Sequence, residues 1–92
     1  MPRPDKPWFV YLVRCRDGSI YTGISDDVDA RVKTHNLGKG AKYTAQRRPV
    51  TLLYSEPHPN HSGARKRELQ LKRWPKQKKE ALAAGFPKPP SE

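Results

Sequence analysis

Two tyrosines and a glycine near the start of the chain are the first residues that could form a reactive site. Tyr11 lies in an apolar run, and Tyr21 and Gly23 lie in the segment that follows Asp17-Gly18. A free phenol donates and accepts hydrogen bonds and titrates at about 10, so two phenols around a gap left by glycine could orient a small polar molecule. Strands also favour tyrosine for packing alone, and the pair by itself leaves that structural role open.

These residues are predicted to share a β-hairpin. Residues 8–15 and 19–25 are rich in β-branched and aromatic side chains, and Asp17-Gly18 between them is a turn signal. The first strand is apolar at successive positions on both of its faces. A strand with this pattern is buried on both sides, so it is predicted to be central in its sheet, with the second strand at an edge.

The length of the hairpin loop decides whether the two phenols can act together. A two-residue loop would place Tyr11 and Tyr21 on opposite faces of the sheet. A three-residue loop that ends in a left-handed glycine pairs Tyr11 with Gly23 and Val13 with Tyr21, which puts both phenols on one face. We predict the three-residue loop, with Gly18 at positive φ.

An arginine and a histidine follow at helical spacing. The next helix is predicted to begin at the cap signals of residues 25–27 and to end at about Asn36, and four of its residues fall at i, i+3, i+4 and i+7: Val28, Arg31, Val32 and His35. The valines must face the sheet, which directs Arg31 and His35 along its edge. Arg31 alone would be an ordinary surface cation, and His35 alone an ordinary residue near a helix C-terminus. Only the coincidence with the tyrosine pair favours a shared site.

A carboxylate occupies the inward stripe of a later helix. Residues 63–74 are predicted to form this helix, capped by Asn60 or Ser62, and Glu68 shares one face with Ala64 and Leu71. An inward carboxylate raises the free energy of the fold unless something pairs with it. Arg31 could pair with it structurally, and a divalent metal could pair with it catalytically.

The connection between the first helix and the third strand is strongly basic. Residues 37–48 contain a short predicted helix over 41–46 and the following candidate nucleic-acid-binding residues: Lys39, Lys42, Tyr43, Arg47 and Arg48. Cations interleaved with an aromatic ring suit a phosphate backbone and a stacked base. A solvated charged loop explains the composition equally well.

Taken together, these residues resemble the GIY-YIG nuclease superfamily. Phe9-Val10-Tyr11 and Tyr21-Thr22-Gly23 look like its two signature tripeptides, with Val10 and Thr22 as variants. The resemblance continues through Arg31, His35, the HNLGKGAKYT stretch and Glu68. It covers residues 8 to about 82 and is greatest to small, stand-alone, single-domain members.

The resemblance implies a metal-dependent endonuclease that hydrolyses phosphodiester bonds in DNA, of a structured or repair type. It implies catalytic roles for Tyr11, Tyr21, Arg31 and His35, and Mg²⁺ or Mn²⁺ on Glu68. Some members carry a late asparagine, and no asparagine follows Glu68 here. The alternative is a non-catalytic DNA- or RNA-binding module on the same fold, and a weaker one is a structural protein whose basic face meets an acidic protein.

Composition agrees with a nucleic-acid partner. The chain has 92 residues and a net charge of +10, from 19 Lys and Arg against 9 Asp and Glu. A basic domain of this size favours a polyanion. Cys15 is the only cysteine, and the sequence shows no apolar leader and no membrane span. We therefore expect a reducing, cytoplasmic location. We expect no membrane partner and no small-molecule cofactor. His58 and His61 could hold a metal, but ordinary loop histidines are the better interpretation.

The predicted fold is one small α/β (α+β) domain over residues 8–84. It has a three-stranded antiparallel sheet of order 2-1-3, flanked by helices. The third strand is expected at 50–54, closed by Glu56-Pro57, and a last helix at 76–84. Residues 1–7 and 85–92 are expected to be a disordered lead-in and a flexible tail.

Overall fold

The computed structural model describes residues 6–85 of the chain, which contain a three-stranded sheet and four helices. The predicted lead-in and tail lie outside this range except for Lys6, Pro7 and Gly85. In chain order the elements are β1 (Trp8–Arg14), β2 (Ile20–Ser25), α1 (Val28–Asn36), α2 (Lys42–Ala45), β3 (Thr51–His58), α3 (His61–Lys72) and α4 (Lys76–Ala84).

The sheet is antiparallel with the order β2-β1-β3, as the sequence predicted. The hairpin register is also confirmed, because Tyr11 pairs with Gly23 and Val13 pairs with Tyr21. Cys15 N–H donates to the Ser19 carbonyl at 2.8 Å and closes a three-residue loop. Gly18 has φ +88°, which a side chain would make costly, so this glycine holds the register on which the site depends.

The third strand differs from its prediction. It runs over Thr51–His58, past Glu56-Pro57, whereas the sequence suggested an end at residue 54. Proline lacks the N–H that a central strand must donate, but β3 is an edge strand and Pro57 can pair opposite Phe9 there.

His58 and His61 are therefore parts of β3 and α3, and the prediction of loop histidines was wrong. The two rings make different contacts. His58 Nε2 lies 2.7 Å from a Glu56 carboxylate oxygen, while the His61 ring meets Trp8 edge to face at 4.6 Å. Each of the two rings thus has a different partner.

Two apolar clusters cover the two faces of β1 because its side chains alternate. One cluster contains Tyr11, Val13, Cys15 and Val50, packed against the inward valines of α1. The other contains Val10, Ala64 and Leu71, packed against Trp8, Ile24, Trp74 and Leu82. Helix α1 thus covers one face, while α3 and α4 cover the other. None of the helices within residues 6–85 is long and apolar enough to cross a membrane.

Helix α1 is fixed at both ends. Asp27 caps it by accepting from Ala30 N–H at 3.1 Å, and its last residue, Asn36, bonds both backbone groups of Val50. The Asn36 amide donates to the Val50 carbonyl at 3.0 Å and accepts from its N–H at 2.7 Å. These bonds hold α1 against the start of β3 and so fix where Arg31 and His35 lie.

Candidate active site

A cavity of about 350 Å³ lies at the β2 edge of the sheet, where helices from the two sheet faces approach each other. It is lined by Tyr11, Tyr21, Gly23, Ile24, Arg31, His61, Arg65 and Glu68. Four of the five residues predicted to be catalytic or metal-binding therefore line one cavity, and the fifth, His35, contacts the Tyr11 hydroxyl. A larger depression of about 420 Å³, beside Arg16 and Arg48, contains none of the five.

Gly23 provides the space in which the Tyr11 phenol lies. A Cβ atom at Gly23 would be 2.5 Å from Tyr11 Oη, well inside van der Waals contact. The phenol therefore lies directly against the β2 backbone, and only 1% of Tyr11 is exposed to solvent. A larger residue at position 23 would push Tyr11 out of the cavity wall.

Tyr11 is the first member of a line of buried polar groups. Its Oη lies 2.7 Å from His35 Nε2, and His35 Nδ1 lies 2.8 Å from Thr44 Oγ1. His35 and Thr44 are fully buried. A Cβ atom at Gly40 would overlap the His35 imidazole, so the backbone after α1 must pass close to that ring. The site thus continues from the cavity into the α1–α2 connection.

Burial decides the charge states of this pair. It raises the pKa of the Tyr11 phenol, and this outweighs the lowering by the Arg31 guanidinium beside it. Burial also lowers the pKa of His35, and the positive charge of Arg31 lowers it further. Both side chains are therefore neutral near pH 7, a phenol facing an uncharged imidazole.

Arg31 brings an incompletely satisfied cation to the cavity wall. Within the part of the chain that the structure describes, its buried Nε finds no hydrogen-bond partner. Guanidinium groups only donate, and they match the paired oxygens of a phosphate or carboxylate. A buried N–H without an acceptor is costly, so an anionic ligand in the cavity would satisfy it.

Glu68 reaches the cavity from α3 and is only 5% exposed. Its two oxygens face cations of the same helix: Arg65 Nη1 at 2.6 Å and Lys72 Nζ at 3.3 Å. The pairing partner considered from the sequence was Arg31, and the structure has Arg65 and Lys72 instead. Both of these side chains are about half exposed, so water can replace either of them at little cost.

The donor set around Glu68 is small. Among residues 6–85, no group of three His, Cys, Asp or Glu side chains converges on one point. A site with one carboxylate does not suit a structural metal. It does suit Mg²⁺, which commonly takes one or two carboxylates and completes its shell with water and substrate phosphate.

Stacked rings continue from the cavity to the surface. Tyr21 meets the His35 ring edge to face at 5.3 Å and stacks on Tyr43 at 6.0 Å. The Arg47 guanidinium lies 3.8 Å from the centre of the Tyr43 ring and also pairs with Asp17 at 3.1 Å. Tyr43 and Arg47 thus pack on the outer side of Tyr21 and hold its ring in place.

The other basic residues of this segment differ in how free they are. Arg48 donates to the carbonyl oxygens of Ala45 and Asn36 at 3.0 and 3.4 Å. Lys39 and Lys42 are exposed and make no ion pair within the described range. Their ammonium groups are therefore the members of this segment that can meet an external anion without breaking an internal contact.

Three residues of the site were missed by the sequence analysis. Arg65 precedes Glu68 by three positions, a spacing that could have identified it as the ion-pair partner. His61 lies seven positions before Glu68 and so faces the same side of α3. Thr44 gave no such signal, because a glycine-containing connection separates it from His35 and hides its contact with the ring.

Comparisons with known proteins agree with these features. A family model described as the GIY-YIG catalytic domain matches residues 7–81. A UPF0213 protein of Staphylococcus aureus is 56% identical over 71 residues, which are 77% of this chain and 87% of that relative, so the relative is also small.

Two solved structures are similar as well. The solution structure of a UPF0213 protein from Bacillus halodurans is 42% identical, with a TM-score of 0.54 over 85% of this chain and 83% of that chain. A protein from E. faecalis is 35% identical, with a TM-score of 0.59 over 90% and 88%.

The lowered pKa of His35 makes stability depend on pH. In the unfolded chain His35 takes a proton below about 6.5, and in the folded chain it stays neutral to lower pH. The unfolded state therefore binds more protons, and the free energy of unfolding decreases as pH falls from 7.5 to 5.5. His35→Gln removes this contribution, so urea unfolding at these pH values should give a shallower decrease. His58 and His61 stay in both proteins as internal controls. Equal slopes would show that His35 is protonated in the fold.

Proposed function

The chain belongs to the GIY-YIG catalytic domain family, and from this we propose that it is a divalent-metal-dependent endonuclease that hydrolyses phosphodiester bonds in DNA. Nuclease chemistry and a nucleic-acid substrate follow from the family. The metal, DNA as the substrate and a structured or repair-type target are the further parts of the proposal.

One observation carries the proposal: a single cavity combines an arginine with an unsatisfied donor, two phenols and a buried carboxylate. Phosphodiester hydrolysis needs positive charge at the phosphoryl oxygens, an oriented water and help for the leaving oxygen. Arg31 supplies the first requirement and Tyr21 suits the second. The net charge of +10 supports a polyanionic substrate.

Glu68 is the residue that would hold Mg²⁺ or Mn²⁺. Its carboxylate is on the cavity wall, and its present partners are half-exposed side chains that can turn away into water. When bound there, the ion would supply Lewis-acid stabilisation of charge on the phosphate and leaving oxygens. The donor set thus fits a metal that shares its shell with substrate.

The remaining roles belong to the side chains themselves. Arg31 donates to the nonbridging oxygens of the scissile phosphate, which gives its buried Nε an acceptor. The Tyr21 oxygen orients the attacking water, and in its phenolate form it takes that water's proton. Tyr11 and His35, neutral and fully buried, keep the cavity wall rigid and offer the Tyr11 oxygen as a hydrogen-bond partner to that water.

The basic segment after α1 extends the site along a nucleic-acid backbone. Lys39 and Lys42 are exposed on it and provide phosphate contacts. Tyr43, Arg47 and Arg48 stay in the proposed interface. The internal contacts of Arg47 and Arg48 indicate that part of their role is to hold the surface in shape.

The charge of Glu68 is the first test. In Glu68→Gln the side-chain volume is kept, so the melting temperature should stay near that of the natural protein while cleavage of labelled DNA in Mn²⁺ is lost. DNA affinity measured in EDTA should be unchanged or slightly higher. Tyr21→Phe, which removes one hydroxyl, should lower the rate on the order of 10²–10⁴-fold.

Glu80→Gln is the matched control, because Glu80 pairs with Arg14 and Lys76 outside the cavity. It should cut like the natural protein. A panel of nicked, flapped, branched and single-stranded DNA, with RNA beside it, identifies the substrate. Nucleic-acid binding without metal-dependent cleavage of any member would replace the proposal by a binding module.

The salt dependence of binding tests the basic segment. Lys39→Ala and Lys42→Ala should each weaken binding to all DNA sequences alike and flatten the slope of log K against log salt by roughly 0.7–0.9. Lys33→Ala removes the same charge from the side of α1 away from Arg31 and should leave the slope unchanged. Equal slopes in all four proteins, measured by fluorescence anisotropy, would remove this segment from the interface.

A further inference from the structure

The hydroxyl of Thr44 has one hydrogen, and the Ala41 carbonyl is an acceptor within its reach. Thr44 Oγ1 donates to the Ala41 carbonyl at 3.1 Å, a bond that threonine commonly makes to a carbonyl one turn earlier. The same oxygen lies 2.8 Å from His35 Nδ1. With that hydrogen on the Ala41 carbonyl, Thr44 accepts from the imidazole, and Nδ1 then carries the hydrogen.

The other side of the ring then follows. A neutral imidazole with hydrogen on Nδ1 has a lone pair on Nε2. Tyr11 Oη is 2.7 Å from Nε2, so the phenol donates there and its oxygen keeps its lone pairs for the cavity. Arg31 lines the same cavity with groups that only donate, and a phenol oxygen that accepts is the complementary arrangement.

We propose that Thr44 is a positioning residue: through the Ala41 carbonyl it fixes His35 as the Nδ1–H tautomer and thereby makes Tyr11 a hydrogen-bond acceptor toward the cavity. With the opposite tautomer, Nε2–H would donate to Tyr11, and the phenol hydrogen would turn toward Arg31. Two donors would then face each other, and the phenol would present a donor instead of an acceptor to a water or phosphate in the cavity.

The chain has local features that serve this arrangement. Gly40 lets the backbone pass over the imidazole, since a Cβ atom there would overlap the ring. The next residue, Ala41, provides the carbonyl, and α2 begins immediately afterwards, so the single turn of Lys42–Ala45 presents Thr44 to the ring. The short helix thus has a purpose that its length and exposure do not suggest.

Imidazole NMR tests the tautomer directly in ¹⁵N-labelled protein. At pH 7.5 the His35 ring of the natural protein should show a protonated Nδ1 and an unprotonated Nε2. Thr44→Val keeps the branched shape and removes the acceptor, so the Nε2–H form should appear. Thr44→Ser keeps the hydroxyl and should restore the natural pattern. Thr34→Val is the control, because Thr34 makes the same type of bond, to the Ala30 carbonyl at 3.0 Å, away from the ring.

Cleavage is the second readout, and it alone rests on the proposed function. Thr44→Val should lower the maximal rate roughly 10–100-fold, by analogy with the loss of partners that orient metal-bound histidines, with little change in DNA affinity. Thr44→Ser and Thr34→Val should retain the rate. If no DNA is cut, the proposed function fails while the tautomer still decides the role of Thr44. An Nε2–H ring in the natural protein overturns the inference even if no variant folds, and so does an unchanged ring in Thr44→Val.

Discussion

The hydrogen bond between Tyr11 and His35 is the constraint on which the rest of the structure depends. Both groups are polar and buried, and Tyr11 belongs to an apolar cluster on the central strand. An unpaired buried donor or acceptor costs about 1–3 kcal/mol. Gly23 and Gly40 leave the room that the two rings need on either side, and Thr44 satisfies the far nitrogen of His35. Apolar packing alone would favour aliphatic side chains at these two buried positions. The buried polar pair instead forms part of the lining of the cavity at the β2 edge.

The second feature of the cavity is the pair of opposite charges that line it. Helix α1 brings Arg31 from one face of the sheet and α3 brings Glu68 from the other, and they meet at the β2 edge. Glu68 is neutralised by cations of its own helix, so Arg31 keeps a donor for a ligand. Arg31 and Glu68 thus line one cavity without pairing with each other. This arrangement suits a substrate phosphate that binds Arg31 together with a metal cation that binds Glu68. The stacked Tyr43 and Arg47 hold Tyr21 in place between them and His35.

The sequence predicted much of this arrangement because local rules decide it. The three-residue loop that ends in Gly18 set the hairpin register, an apolar run on both faces identified β1 as central, and helical spacing placed Arg31 and His35 toward the tyrosines. The end of β3 could not be predicted, since the tolerance for Pro57 depends on β3 being an edge strand. The contact of Thr44 with His35 is made across a non-periodic connection, which a pattern along the chain does not record. The partners of Glu68 lie at helical spacing on its own helix, so the sequence did contain a signal for them.

The central claim is that the cavity at the β2 edge holds the reacting phosphate with a metal on Glu68. Paramagnetic broadening by substoichiometric Mn²⁺ tests it most directly. The amide resonances of Gly23, Arg31 and Glu68 should broaden first, before those of Asp26, Asp27 and Asp29, whose exposed carboxylates lie at the start of α1. Glu68→Gln should abolish this order. Broadening that begins at the aspartates, or that is the same in the variant, would contradict a metal-dependent site in this cavity.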